Sequence, residues 1–311
     1  MPLQSQFKET LTKVGIKYVQ DPANFKASKI FPVCTVNMMA GVFPTWAKEY
    51  WMKNEAKPRK PGTESAGSPQ GRGEDSYSVE DISFHEDVPE ENIQNDPKPL
   101  NPLKSATRRA THKISLYDEV YFATNFFTSG VWTAGSNPST KWNAANSTPL
   151  EDVDGYKRGG QTVTGMTMNK AVMSQKVFDV LKRHPDVKDQ IKYTSAKNIT
   201  PELLAAILEL ESLVIMNAVY DAAKYGATAA MQYVAGDSFL LLHTTNTPSL
   251  EEPSAGYNFV WNKMNTGAED GYFVKTIMLE KEGATRVEPH WYHQFKVVAP
   301  DLGVFVAAPL S

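Results

Sequence analysis

The sequence holds one cysteine in 311 residues, Cys34. A lone thiol excludes an internal disulfide and any multi-cysteine zinc or iron–sulfur site. No run approaches the roughly 20 apolar residues of a membrane-spanning helix. The opening stretch MPLQSQFKETLTKV lacks the apolar core and the small-residue cleavage site of a secretory signal. Net charge is scarce too. There are 32 Lys and Arg against 35 Asp and Glu, which leaves −3. That balance argues against holding nucleic acid by bulk attraction, which needs clustered cations that displace counterions. Nucleotide and hydrolase signatures are absent: no G-x-x-x-x-G-K-[ST], no G-x-G-x-x-G after a strand, no G-x-S-x-G. What is present, 41% hydrophobic and 22% charged residues, is globular composition for one large domain or two to three modest ones.

The remaining chemistry-bearing residues form no constellation. His290 and His293 stand three apart, which puts them on opposite faces of a strand. Asp152-Val153-Asp154-Gly155 lacks the third oxygen position and the distal Glu of a calcium loop. The acidic run around Glu86, Asp87, Glu90 and Glu91 has nothing that fixes a geometry. Cys34 lies in an apolar, β-prone segment without a neighbouring His or Lys, as a buried structural thiol does. The expectation is no catalytic residue, no metal and no cofactor: not an enzyme.

Four zones separate by composition. Residues 1–33 are a mixed arm, in which Phe7, Leu11, Val14 and Tyr18 recur at helical spacing. Residues 53–101 are rich in Pro, Gly, Ser and charge, the signature of a long loop. Its charge is polarised. Lys53, Lys57, Arg59, Lys60 and Arg72 come first; Glu74, Asp75, Glu80, Asp81, Glu86 and Asp87 follow. The segment SYSVEDISFHEDV alternates as a strand does, so part of the loop reads as a long hairpin. Residues 102–128 read as one long helix with Asn101 as N-cap, Pro102 at the first position and Gly130 as the stop. Leu103, Ala106, Ala110, Tyr117, Val120, Tyr121 and Thr124 are its expected apolar face; Lys104, Arg108, Arg109, Lys113 and Glu119 decorate the rest.

Beyond residue 136 strands and helices alternate. Thr148-Pro149-Leu150-Glu151 is a capping box. VTGMTMNKAVM is a strand candidate, Ser174 caps the helix SQKVFDVLKRH, which Pro185 ends, Thr200 opens ITPELLAAILEL, and SLVIM is a buried-strand candidate. The tail is strand-rich: FLLLH, YNFVW, YFVKTIML, HWYHQFKVV and LGVFVAA. The order is α+β rather than doubly wound.

Several of these segments, in this order, resemble one family. VFDVLKRHPDVKDQIKYT (177–194), ITPELLAAILELESLVIMNAVYDAAKYG (199–226), AGDSFLLLHTTNTPSLEEPSAGYNFVW (235–261), the closing VVAPDLGVFVAAPLS and the upstream KIFPVCTVNMMAGVFPTWAKEYW are similar to segments of tailed-bacteriophage major capsid proteins. The resemblance covers roughly residues 20–311 and rests on segment order. It implies the Hong Kong 97-like capsid fold: an N-terminal arm (1–33), a peripheral domain (34–52, 97–135 and 243–300) with a spine helix at 102–128, an extended loop (53–96) and an axial domain (136–242 and 301–311). It implies self-assembly through pentamers and hexamers into an icosahedral shell around double-stranded DNA, touched weakly and without sequence preference. A separate scaffolding protein, a portal and decoration proteins are the further partners, with no membrane. The location implied is the virion head, assembled in the host cytoplasm. The polarised loop would lie across an adjacent subunit, and its two signs of charge would fix register. Some members link subunits covalently through a loop Lys, for which Lys53, Lys57 and Lys60 are available. Two other readings stand beside it: an encapsulin-like compartment of the same fold, and an α+β enzyme with 53–101 as a lid.

Overall fold

The computed structural model describes residues 20–69, 71–95, 101–132, 135–192, 198–248, 252–262 and 271–310. The arm helix expected from Phe7, Leu11, Val14 and Tyr18 lies outside the described residues. In chain order the first elements are β1 (Val33–Val36), β2 (Ala40–Thr45), α1 (Lys48–Met52), β3 (Gly73–Ser78), β4 (Glu80–Ser83), β5 (Glu86–Pro89), α2 (Glu90–Asn95) and α3 (Pro102–Asn125). There follow α4 (Pro149–Thr164), β6 (Lys170–Ser174), α5 (Gln175–Leu181), α6 (Pro185–Ile191), α7 (Pro201–Ile207), β7 (Ser212–Met216), β8 (Val219–Asp221), β9 (Met231–Tyr233) and β10 (Phe239–Leu242). The last are β11 (Gly256–Trp261), β12 (Tyr272–Leu279), β13 (Ala284–Val297) and β14 (Gly303–Val306).

One sheet is organised by β13, whose 14 residues pair with four other strands. Trp291 is opposite both Tyr272 and Ile82, and His293 is opposite both Val260 and Glu80. A strand residue has two edges, so β12 and β11 share one edge of β13 while β5 and β4 share the other. β1 then joins β11 in parallel. The long helix α3 packs against β13.

The second sheet has the order β14-β10-β6-β7. Its central strand β10, Phe-Leu-Leu-Leu, is buried along its whole length, as a strand covered on both faces must be. Alternation divides these side chains between two cores. Phe239, Leu241, Ala171 and Met173 face Trp142, Val177, Leu181 and Leu204. Leu240, Leu242 and Val172 face Phe31, Phe122, Phe127, Trp132 and Phe295. The second core joins the two sheets, because Phe122 belongs to α3 and Phe295 to β13.

The capping signals hold for three helices. Asn101 accepts from the Lys104 N–H at 3.1 Å, Ser174 from Val177 at 3.3 Å and Thr200 from Leu203 at 3.3 Å. They satisfy N–H groups that a helix start leaves open. Four expectations need correction. Thr148 makes no side-chain cap bond; the Leu150 N–H instead donates to Asp186 on α6, 3.3 Å away. Helix α4 runs to Thr164 and closes on Gly165 in the left-handed region (φ 70°), so the following strand is only Lys170–Ser174. The helix opened by Ser174 stops at Leu181, and Pro185 sits at the start of α6. SLVIM forms β7, a half-buried edge strand.

Helix α3 ends at Asn125 with Phe126 as its C-cap, short of the expected stop at Gly130, and it differs in its buried face. Ala106, Ala110, Ile114, Asp118, Glu119 and Phe122 are buried, whereas Tyr117 and Thr124 are exposed and Leu103, Val120 and Tyr121 half-buried. The apolar reading passed over two carboxylates that have partners inside. Among the described residues, no helix is long and apolar enough to cross a membrane.

Candidate functional site: the projecting loop and its root

Residues 46–72 project from the β2–β3 hairpin. Every described side chain from Trp46 to Pro69 is exposed. Lys53, Lys57, Arg59, Lys60 and Arg72 all stand in solvent, and no salt bridge among the described residues reaches them. The stretch carries six Lys or Arg (48, 53, 57, 59, 60, 72) and three Glu (49, 55, 64), so its net charge is 6 − 3 = +3. It also exposes large apolar groups: Trp51 is 71% accessible and Met52 53%, with Met38, Val42 and Trp46 exposed at the loop's base. Exposed apolar surface beside cations marks an interaction site more often than a solvated face.

The acidic half expected in the same loop is not part of the projection. Glu80–Ser83 and Glu86–Pro89 are strands on β13, and Gly73–Ser78 is the return strand of the hairpin. Most of its charges meet partners within the chain. Asp75 lies 2.7 Å from Lys296 Nζ, Asp87 pairs with Arg286 at 2.7 Å, Asp81 sits 3.0 Å from His290 Nδ1, and Glu86 pairs with Arg109 of α3. Glu74 and Glu80 are exposed. The Arg286 guanidinium holds the Asp87 carboxyl below its ordinary range. Burial raises Asp75, but the Lys296 ammonium and the Ser76 N–H outweigh it and bring it below that range.

The root is also held by ring packing. Tyr77 stacks on Phe259 at 4.8 Å between centroids, Phe43 lies 5.6 Å from the same ring, and Lys296 Nζ sits 5.6 Å over Phe43. Tyr77 crosses its hairpin partner Gly41, where a Cβ would meet the phenolic oxygen at 2.7 Å. A two-stranded ribbon alone is marginal in water, so this packing fixes the loop's direction. Near its start, Lys48 pairs with Asp301 at 2.6 Å.

On α3, Arg108 is exposed and Tyr117 stacks on Tyr121 at 5.8 Å. A groove of about 660 Å³ lies between this face and the β8–β9 hairpin, lined among others by His112, Leu116, Tyr117, Val120, Tyr220 and Met231. The buried carboxylates lie deeper. Asp118 Oδ1 is 3.2 Å from His293 Nε2, and His293 Nδ1 is 3.2 Å from Asn258 Oδ1. Glu119 Oε1 accepts the backbone N–H of Ala27 at 2.6 Å and that of Lys26. Burial pushes the Glu119 carboxyl up to about 7, against the pull of those two N–H groups and of the Lys26 charge; Asp118 beside it adds to the rise. Burial also raises Asp118, offset by His293. No local pattern signals this cluster, since each partner is remote in the chain. His290 and His293 do face opposite sides of β13, with different partners. Cys34 is half-buried and burial raises its thiol, which keeps it protonated and unreactive. Among the described residues no group of three or more His, Cys, Asp or Glu could hold a metal ion.

The family model for phage major capsid protein E matches residues 134–289, half of the chain. The chain belongs to the phage major capsid protein E family. A major capsid protein of Burkholderia phage BcepMu is 24% identical over 234 residues, which cover 72% of this chain and 75% of that one. Among solved structures, a phage-related protein from Bordetella bronchiseptica RB50 superposes with a TM-score of 0.68 at 21% identity, covering 100% of this chain and 98% of that one. The capsid of Myoviridae phage XM1 gives 0.57 at 9% identity over 96% and 97%. The fold is therefore the α+β, Hong Kong 97-like capsid fold along nearly the whole chain. The family match takes in β6, β7 and β10 of the second sheet, β11 and β12, and the start of β13. The loop and α3 lie upstream of it, inside the regions that the capsid folds cover.

Proposed function

We propose that this major capsid protein self-assembles through pentamers and hexamers into the icosahedral head shell of a tailed phage. The observation that carries the proposal is the loop of residues 46–72: basic, bearing exposed Trp51 and Met52, rigid at its root, and uncovered by its own chain. Such a surface is complete only against another copy, and head-to-tail contacts of this kind close into rings. The role is structural rather than catalytic.

In this reading residues 1–33 are the arm, 34–52, 97–135 and 243–300 the peripheral domain with α3 as its spine helix, 53–96 the extended loop, of which 53–72 project, and 136–242 with 301–311 the axial domain. The shell encloses double-stranded DNA that it touches weakly, since a strongly basic wall would hinder filling. A separate scaffolding protein, a portal and decoration proteins are its further partners, and the shell forms in the host cytoplasm before residing in the virion. The encapsulin-like reading shares the fold but has less support, because the family and the curated sequence relatives are phage capsid proteins.

The test is the particle mass and shape of the recombinant full chain, by sizing chromatography and negative-stain microscopy. Closed shells, or rings of five and six, are expected. A chain that stays a small uniform oligomer, and remains so when co-expressed with a scaffolding protein, overturns the proposal.

A further inference from the structure

Residues 20–30, just before β1, are tied down by polar contacts from three directions. The Gln20 side chain exchanges two bonds with the Val219 backbone, and Asn217 donates to Asn24 at 3.0 Å. Lys170 on β6 donates to the Ile30 carbonyl at 2.9 Å. The spine helix contributes Glu119, whose contact differs in kind. The side chain belongs to a fully buried residue, both donors converge on Oε1, and Oε2 is buried with no partner. That lopsided arrangement suits a neutral acid: a carbonyl oxygen accepts two N–H groups while the other oxygen carries the proton. An ionised carboxylate in the same place would leave a charged oxygen unsolvated.

We propose that Glu119 is a proton-linked latch. In its neutral form it holds residues 26–27 on the spine helix, and its ionisation favours release of that segment and hydration of the carboxylate. The charged groups around it are Asp118 on the same helix, Lys26 on the held segment, and His293 of β13, which reaches it only through Asp118. His112, about two turns earlier on the same helix, packs edge-on against Phe25 of the same segment at 5.2 Å.

The sign follows from linkage. The closed site titrates at about 7, above the ordinary carboxyl value of 4.5. Closing therefore binds a proton between those values, so the latch is tightest below the lower value and loosens as pH rises through about 7. Across that window the opening equilibrium changes by up to about 300-fold, the tenfold-per-unit limit for a single proton.

The experiment is amide hydrogen exchange of Lys26 and Ala27 in the full chain from pH 4.5 to 8, corrected for intrinsic exchange. Protection of those two amides is expected to fall as pH rises and then level off above about 7. Glu119→Gln should flatten the profile, whereas Asp118→Asn should shift it and keep its shape. A flat wild-type profile overturns the proposal, and so does a Glu119→Gln profile with the wild-type slope. If Glu119→Gln fails to fold, isotope-edited infrared spectra of the wild-type chain with labelled glutamate decide it. A buried acid carbonyl band that persists to near pH 7 supports the latch, and its loss by pH 5 overturns it.

Discussion

Replacing Trp51 with serine separates what the loop does for the subunit from what it does between subunits. In the isolated chain Trp51 is 71% exposed, so its removal takes away almost no internal packing. Surface changes of this kind stay within about 0.5 kcal/mol, and the thermal midpoint of the unassembled subunit should barely move. The cost between copies is much larger. A buried Trp covers about 150–250 Å²; with 71% of that open and about 25 cal/mol per Å², covering Trp51 stabilises a contact by roughly 3–4 kcal/mol. Even half of the lower figure raises the concentration needed for assembly about tenfold. The assay is light scattering of assembling subunits across a concentration series, beside a melting curve of the unassembled chain. Trp51→Ser subunits that assemble at the wild-type concentration would refute the reasoning. A midpoint that falls by many degrees would refute it too, by showing that the side chain supports its own fold.

Two further outcomes follow from the geometry. Reversing Lys57, Arg59 and Lys60 together to Glu changes the loop's net charge from +3 to −3 (three reversals of two units each); assembly yield should fall sharply at low salt and recover partly at high salt, because exposed charges are screened within about 10 Å at 0.1 M, and equal yield at low salt would remove the charges from the mechanism. Phe122→Ala opens a cavity where the Phe31, Phe126 and Phe295 rings meet at 5.4–5.7 Å, so urea unfolding of the subunit should show a loss of about 3–5 kcal/mol, whereas a loss under about 1 kcal/mol would mean that the two sheets do not share this core.

The sequence was most legible where structure is local. Asn101, Ser174 and Thr200 announced three helix starts, and the apolar run FLLLH announced a strand, because each signal lies within a few residues of its effect. The extent of the loop was not local. The alternation in SYSVEDISFHEDV marked strands, but their partner β13 lies some 200 residues on, so residues 80–89 read as loop until the pairing of Asp87 with Arg286 and of Ile82 with Trp291 is seen. Asp118 and Glu119 fell outside the expected apolar face for the same reason. A carboxylate on a helix reads as solvated unless its partner is known, and here the partners are His293 and the backbone of residues 26–27. The chemistry of burial was hidden in contacts that no short window contains.

Confinement of the acidic charges to the loop's root changes how the loop would work. An arm with one basic and one acidic half could find its register by pairing both signs with a neighbour. The loop seen here pairs most of its acidic half within its own chain, through Lys296, Arg286, Arg109 and His290. Exposed pairs of this sort add little stability, about 0–1 kcal/mol each. Their effect is directional: they fasten successive points of β3, β4 and β5 along β13 and α3, while the Tyr77–Phe259 stack clamps the hairpin base. The part left free then carries a net charge of +3 and two large apolar groups on a fixed stalk. Register on the neighbour would be set by where the stalk points and by the shape around Trp51 and Met52, with the cations steering approach. A contact that is weak singly but held in one direction suits a closed shell, where the same contact recurs in every subunit and closure supplies the effective concentration.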